Sequence, residues 1–261
     1  MTEPMVTFEE KPTRDGGCIG VATLNAPDSL NALSLTMIHA LHARLEAWAQ
    51  APSVHAVWLQ GAGGKAFCAG GDVVALYHAM RGAHEGGADV ATAYFSAEYR
   101  LDHFLHHYPK PLIAWGDGVV MGGGLGLLQG AGHRVVTETS RLAMPEISIG
   151  LYPDVGASWF LSRMPGGVGL YVGVTGAHLN ARDALDLGLA DRFIPHAARE
   201  DVLDALTRAD HRSPHHAVRQ VLEAFEARAR APEAQVMPRL DHLQALSDGA
   251  DIATVVQRIL D

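Results

Sequence analysis

Two carboxylates and two glycine clusters set the chemistry open to this chain. Glu146 and Asp154 stand eight residues apart in the segment AMPEISIGLYPDVG, each directly after a proline. Upstream, Gly122, Gly123 and Gly124 follow Met121, and Ala69, Gly70, Gly71 and Asp72 follow Cys68. Glycine lets backbone N–H groups approach a ligand closely. One such donor from each of two strand ends can hold a carbonyl oxygen as negative charge develops on it, Gly123 doing so from the N-terminus of a helix. A buried carboxylate facing that pocket has its pKa raised toward the range of a general base. Each feature also has a plainer use. Asp72 can cap a helix, the glycine triplet can let a helix pack close on a sheet, and Asp154 can cap a helix over 157–163. The two glycine turns together point to a two-donor site more strongly than either alone.

Other motifs are weaker. Gly61 to Ala66 follows a strand and superficially resembles a phosphate-binding loop, but Lys65 is followed by Ala66 rather than Ser or Thr, and Gln60 stands where that loop needs glycine. The histidines His103, His106 and His107 have near-ligand spacing on a helix but no third partner at helical spacing, so a solvated face is the simpler reading. Cys68 adjoins the first glycine turn without a His or Asn near it in sequence, which favours a small core residue over a nucleophile.

These groups need elements to position them. Residues 6–10 and 19–25 read as a hairpin around a polar turn, and Ser34 caps a helix carrying Leu35, Ile38, Leu41, Leu45 and Trp48 at helical spacing. Buried strands are expected at 54–61 and 112–119, with short strands at 134–137 and 141–143. Helices are expected from Asp72, from the end of a turn at 85–89 to near Tyr108, and over 123–130. Strand, glycine turn and helix recur at both clusters, the arrangement by which α/β folds place ligands at strand ends. From Arg199 onward the pattern is helical, broken by Pro214, Pro232, Pro238 and Gly249.

Composition narrows the function classes. The 261 residues are 48% apolar, enough for a sizeable core. A net charge of −9 argues against a nucleic-acid or anionic-membrane surface. Lysine occurs only at Lys11, Lys65 and Lys110, so arginines must meet any phosphorylated ligand. Two cysteines and an acidic N-terminal stretch without an apolar core suggest a reducing, cytoplasmic setting. No run is long and apolar enough to span a bilayer.

Three runs in register, Lys65 to Asp72, Met121 to Gly126 and Ala143 to Gly156, resemble the crotonase (enoyl-CoA hydratase/isomerase) superfamily. The likeness covers roughly residues 18–196. It implies an α/β protein with a crotonase-type ββα superhelix core over residues 1–196 and a C-terminal helical region over 197–261. It further implies acyl-CoA substrates, no cofactor beyond the coenzyme A of the substrate itself, an oxyanion hole from Gly71 and Gly123, and substrate contacts at Ala69, Gly70, Asp72 and Gly122. A homo-oligomer, trimer or hexamer, is the implied assembly, with neither nucleic acid nor membrane as partner. Hydratases of the superfamily carry a glutamate where this chain has Gly126, which disfavours water addition to a double bond. Glu146 with Asp154, and Glu98 on the preceding helix, is instead similar to the 3-hydroxyisobutyryl-CoA hydrolases of valine breakdown. By that likeness Glu146 is nucleophile or general base, Asp154 positions water or the substrate hydroxyl, and Glu98 holds the hydroxylated acyl group or its water. An isomerase or hydratase on the same fold, or a catalytically silent binding module, are the competing expectations. Family hydrolases usually continue past the point where this chain stops.

Overall fold

A computed structural model describes residues 4–83, 86–248 and 251–261. The hairpin forms as the alternation predicts: β1 (Val6–Pro12) and β2 (Cys18–Leu24) pair antiparallel with Val6 opposite Leu24. The helix α1 (Leu35–Gln50) starts where Ser34 Oγ accepts the Met37 N–H at 3.2 Å, and Ile38, Leu41, Leu45 and Trp48 are all buried. The buried strand expected next is β3 (Val54–Gly61). It is followed by β4 (Ala66–Cys68) and the helices α2 (Val73–Gly82) and α3 (Gly87–His106). Residues 84 and 85, where the expected turn begins, lie outside the described residues; from Gly87 the chain is already helical.

The single strand expected over 112–119 is two strands in two sheets. β5 (Leu112–Gly116) ends before Asp117 and Gly118, and β6 (Val119–Met121) begins in the other sheet. Gly118 takes φ +70° at the break, and a side chain there would overlap the Lys65 carbonyl. Asp117 is held by the hydroxyls of Thr137 and Thr139, both at 2.6 Å, and by His196 at 2.7 Å. The apolar run hides this break because the anchoring partners are about twenty residues or more away in sequence.

Then follow α4 (Gly123–Gly130), β7 (His133–Val136), β8 (Arg141–Ala143), α5 (Ala157–Leu161), α6 (Val168–Thr175), β9 (Leu179–Asn180), α7 (Ala181–Asp186) and β10 (Arg192–Phe193). A six-stranded sheet runs β1-β2-β3-β5-β7-β10 and a four-stranded sheet runs β4-β6-β8-β9. Beyond them α8 (Arg199–Arg208) and α9 (Pro214–Phe225) cover the outer face of the larger sheet. Val202, Leu206, Val218 and Leu222 pack there on Ile19, Val21, Trp58 and Trp115. Residues 226–239 form short turns around Pro232 and Pro238 rather than helix, before α10 (Leu240–Ser247) and α11 (Ile252–Leu260). Asp183, fully buried, accepts the N–H groups of Gln235 and Val236 at 2.8 and 2.9 Å and so ties this segment to α7. Among the described residues no helix is long and apolar enough to cross a membrane.

Candidate active site

β4 and β6 are parallel neighbours, so their glycine turns emerge side by side and feed α2 and α4. Gly70 at φ +105° and Gly122 at φ +50° adopt backbone conformations that favour glycine. The turns nearly touch: a Cβ on Gly70 would lie 3.1 Å from the Met121 carbonyl oxygen and 3.5 Å from the Gly123 nitrogen. The Ala69 N–H goes to the Leu30 carbonyl and the Gly122 N–H to that of Ala143. Those of Gly71 and Gly123 donate to no backbone carbonyl among the described residues. The structure thus brings together the two donors that the sequence separates by fifty-two positions. Donors arranged in this way suit an oxygen that gains charge during a reaction.

A helix, a turn and the loop before α5 deliver the acids. Glu98, on α3, is 3% exposed, and its Oε1 occupies the space a side chain on Gly123 would need. Glu146 opens the short turn Glu146–Ile149 after β8, is 6% exposed, and places Oε1 2.8 Å from the Cβ position of Gly122. Asp154 does not cap α5 with its side chain. Its carbonyl accepts the Ala157 N–H, while its Oδ2 accepts the Tyr99 hydroxyl at 2.6 Å. Asp72 caps α2, accepting the Ala75 N–H at 2.9 Å. One oxygen of that carboxylate is committed to the helix, and the other is left for a ligand.

Burial first, then the charges of Asp154 and Glu146, push the Glu98 carboxyl up to about 8. Burial, with Asp154 adding to it, pushes Glu146 up to about 7. Sequence reasoning missed a further member of this cluster. Asp102 lies one helical turn beyond Glu98 on α3, and both its carboxyl oxygens are buried without a partner among the described residues. Burial, Glu98 and Asp154 hold its carboxyl well above the usual carboxylate range. The signal was the i, i+4 spacing of two acids on a face that also carries Tyr94, Leu101 and Leu105. None of the four acids joins an ion pair among the described residues.

Replacing Glu98 by Gln removes a carboxyl whose folded-state value lies above its unfolded one. The stability such a group contributes is intact below the ordinary carboxylate range and is lost as pH rises through about 8. Thermal midpoints of the parent and Glu98→Gln should therefore diverge in the variant's favour between pH 5 and pH 9. A constant difference across that range would contradict this account of the cluster.

The remaining candidates sit elsewhere. Cys68 is fully buried, with its thiol pushed up to about 12 chiefly by burial, which makes it a core residue rather than a nucleophile. His103 and His106 lie on the exposed side of α3, and His107, just past its end, is exposed as well. A cleft of about 1310 Å³ opens beside the acids and is bordered by Tyr99, Asp102, Gly126, Asp154, Val155 and Trp159. The glycine turns do not line it. The site is defined by the convergence of donors and carboxylates, and the cleft is the open volume next to it.

This combination of two sheets, paired glycine turns and a carboxylate on the loop after β8 is that of the crotonase fold. Residues 19–261 match the enoyl-CoA hydratase/isomerase family, and the chain belongs to that family. It is 43% identical over 194 residues to a protein named 3-hydroxyisobutyryl-CoA hydrolase, mitochondrial, of Xenopus tropicalis, covering 74% of this chain and 49% of that one. It is 41% identical over 241 residues to 3-hydroxyisobutyryl-CoA hydrolase 1 of Arabidopsis thaliana, covering 92% and 61%. The chain thus spans about half to three fifths of the length of these relatives. Among solved structures, a carnitinyl-CoA dehydratase from Mycobacterium thermoresistibile superposes with a TM-score of 0.84 at 34% identity, over 97% of this chain and 70% of that one. The expected α/β fold of the crotonase type and the likeness to the hydrolase branch both hold.

Proposed function

We propose that this chain hydrolyses a short hydroxyacyl-CoA thioester, with 3-hydroxyisobutyryl-CoA as the substrate, to the free acid and coenzyme A. The observation that carries this reading is the meeting of Glu146 with the glycine turns, in a chain whose position 126 is glycine. The Gly71 and Gly123 N–H groups form the oxyanion hole, each contributing about 3 kcal/mol to the transition state. Glu146 either takes a proton from water as that water attacks the carbonyl carbon, or attacks the carbon itself to give a mixed anhydride that water then opens. In both routes the C–S bond breaks, the thiolate leaves, and it collects a proton as free thiol. Asp154, held by Tyr99, orients the water or the substrate hydroxyl. Glu98 holds the hydroxylated acyl group or its water. Label found in the Glu146 carboxyl after a single turnover in ¹⁸O water would establish the anhydride route, because only water attack on the glutamyl carbonyl of that anhydride puts it there.

Coenzyme A enters as part of the substrate, and no separate cofactor is required. In this reading the enzyme serves valine catabolism as a homo-oligomer, trimer or hexamer. Fractionation of the native protein tests the cytoplasmic setting against the mitochondrial one of the animal relatives' names.

The competing reading is hydration or dehydration on the same scaffold, which the carnitinyl-CoA dehydratase likeness favours. Thiol release across a panel of short acyl-CoAs separates the two. Hydrolysis frees coenzyme A, whereas hydration, dehydration and isomerisation leave the thioester intact. Absence of thiol release from every short hydroxyacyl-CoA would refute the hydrolase reading.

A further inference from the structure

The helices α3 and α4 pack as a ladder of α3 side chains, two of them acids, against α4 glycines. Glu98 fills the space beside Gly123, Asp102 Oδ1 lies 3.3 Å from the Cβ position of Gly126, and Leu105 Cβ lies 2.7 Å from that of Gly130. Each rung joins a residue on α3 to a glycine on α4, so the missing side chains of α4 are what admit the acids. The first rung lies at the Gly123 N–H. The second lies three residues further along α4, a rise of about 4.5 Å. Asp102 thus enters, from a different helix, the space that a side chain at position 126 would fill. It shares that space with Val155, whose Cβ is 2.7 Å from the same Cβ position. Val155 stands there at φ +42°, a conformation that a β-branched residue rarely adopts, and it borders the cleft beside Asp102.

Nothing in the fold uses the Asp102 carboxyl. It caps no helix, pairs with no cation and accepts no hydrogen bond among the described residues, although both of its oxygens are shielded from solvent. An orphaned buried polar group costs stability unless a ligand satisfies it. Resting on the hydrolase reading, we propose that Asp102 is a specificity-determining residue, which takes the hydroxyl of a hydroxyacyl thioester whose carbonyl oxygen lies at the Gly71 and Gly123 N–H groups. A neutral carboxyl has one donor and one acceptor to offer a hydroxyl, and the displacement along α4 suits a hydroxyl on the third carbon of the acyl chain. Glu98, at the first rung, is then left to hold the water. Entry of the hydroxyl moves the Val155 side chain aside.

The test compares binding of two non-hydrolysable thioether analogues of acyl-CoA, one carrying a 3-hydroxyl and one lacking it, by calorimetry, with thiol release from the matching thioesters measured in parallel. The parent should bind the hydroxylated analogue about tenfold or more tighter. Asp102→Leu should remove that preference while leaving affinity for the other analogue within about twofold, and Asp102→Asn, which keeps a donor and an acceptor, should retain most of it. If Asp102→Leu does not fold, Asp102→Ala serves in its place. Equal loss for both analogues, or an unchanged preference in Asp102→Leu or its substitute Asp102→Ala, overturns the assignment. A preference that depends on Asp102 without any thiol release would uphold the subsite and refute hydrolysis instead.

Discussion

Glu146→Gln lowers kcat for thiol release by about a hundred- to ten-thousandfold, the range expected for loss of a positioned acid–base group. Glutamine keeps the shape of the side chain beside Gly122 but can neither take a proton from water nor attack the carbonyl carbon. Both routes fail together, so the variant tests the role of the carboxylate without presupposing which route operates. Its effect on stability has the opposite sign. The Glu146 carboxyl is raised to about 7 chiefly by burial, so ionising it in the folded chain is unfavourable. The stability it contributes is intact below the ordinary carboxylate range and is lost as pH rises through about 7. The variant should therefore melt no lower than the parent at pH 5 and above it at pH 8, even though it is inactive. Turnover at the parental rate would remove Glu146 from the chemistry, and a variant that is both inactive and unfolded would show a structural role instead.

Gly124→Ala is expected to lower kcat about a hundredfold through geometry alone. A Cβ at this position would overlap the Cys68 carbonyl oxygen and lie 2.8 Å from the Cys68 Cβ. Backbone cannot yield as the end of a side chain can, so α4 must move away from β4. That shift separates the Gly123 N–H from the Gly71 N–H, and a displacement of about 1 Å in a catalytic group can cost on the order of a hundredfold in rate. Overpacking should also destabilise the fold by about 1–3 kcal/mol. Gly132→Ala is the control, since the nearest atom to a Cβ there is 3.9 Å away, and it should stay within about 0.5 kcal/mol of the parent. Rates measured well below each variant's melting temperature separate the two effects. A folded Gly124→Ala with full activity would mean that the spacing of the two turns is not critical.

The legible parts of the molecule were those written locally. Ser34 ahead of a helical repeat fixes the start of α1, and the glycines at 122–124 and 130 bracket α4. The donors and the acids Glu146 and Asp154 could be picked out because each sits in a short motif, and Glu98 through the family resemblance. What could not be read depends on partners far away in sequence. The break at Asp117 requires Thr137, Thr139 and His196. The orientation of Asp154 away from α5 requires Tyr99, fifty-five residues earlier. Asp102 acquires significance only once α4 lies across it and position 126 is seen to be empty of side chain. Sheet order is likewise non-local, since hydrophobic runs mark strands but not which strand lies beside which.

The four carboxyl groups, unpaired by any cation among the described residues, also bear on how a cycle ends. A thioester arrives with no charge at its reacting carbon, whereas its hydrolysis creates a carboxylate in the same place. Two like charges 4 Å apart repel by about 4 kcal/mol at an effective dielectric of 20. Glu146, raised only to about 7, therefore pushes the product acid outward once both are ionised, while Glu98 and Asp102, held protonated, add no charge. In the proposed reaction the site favours departure of its own product, and added free acid should be a weak inhibitor.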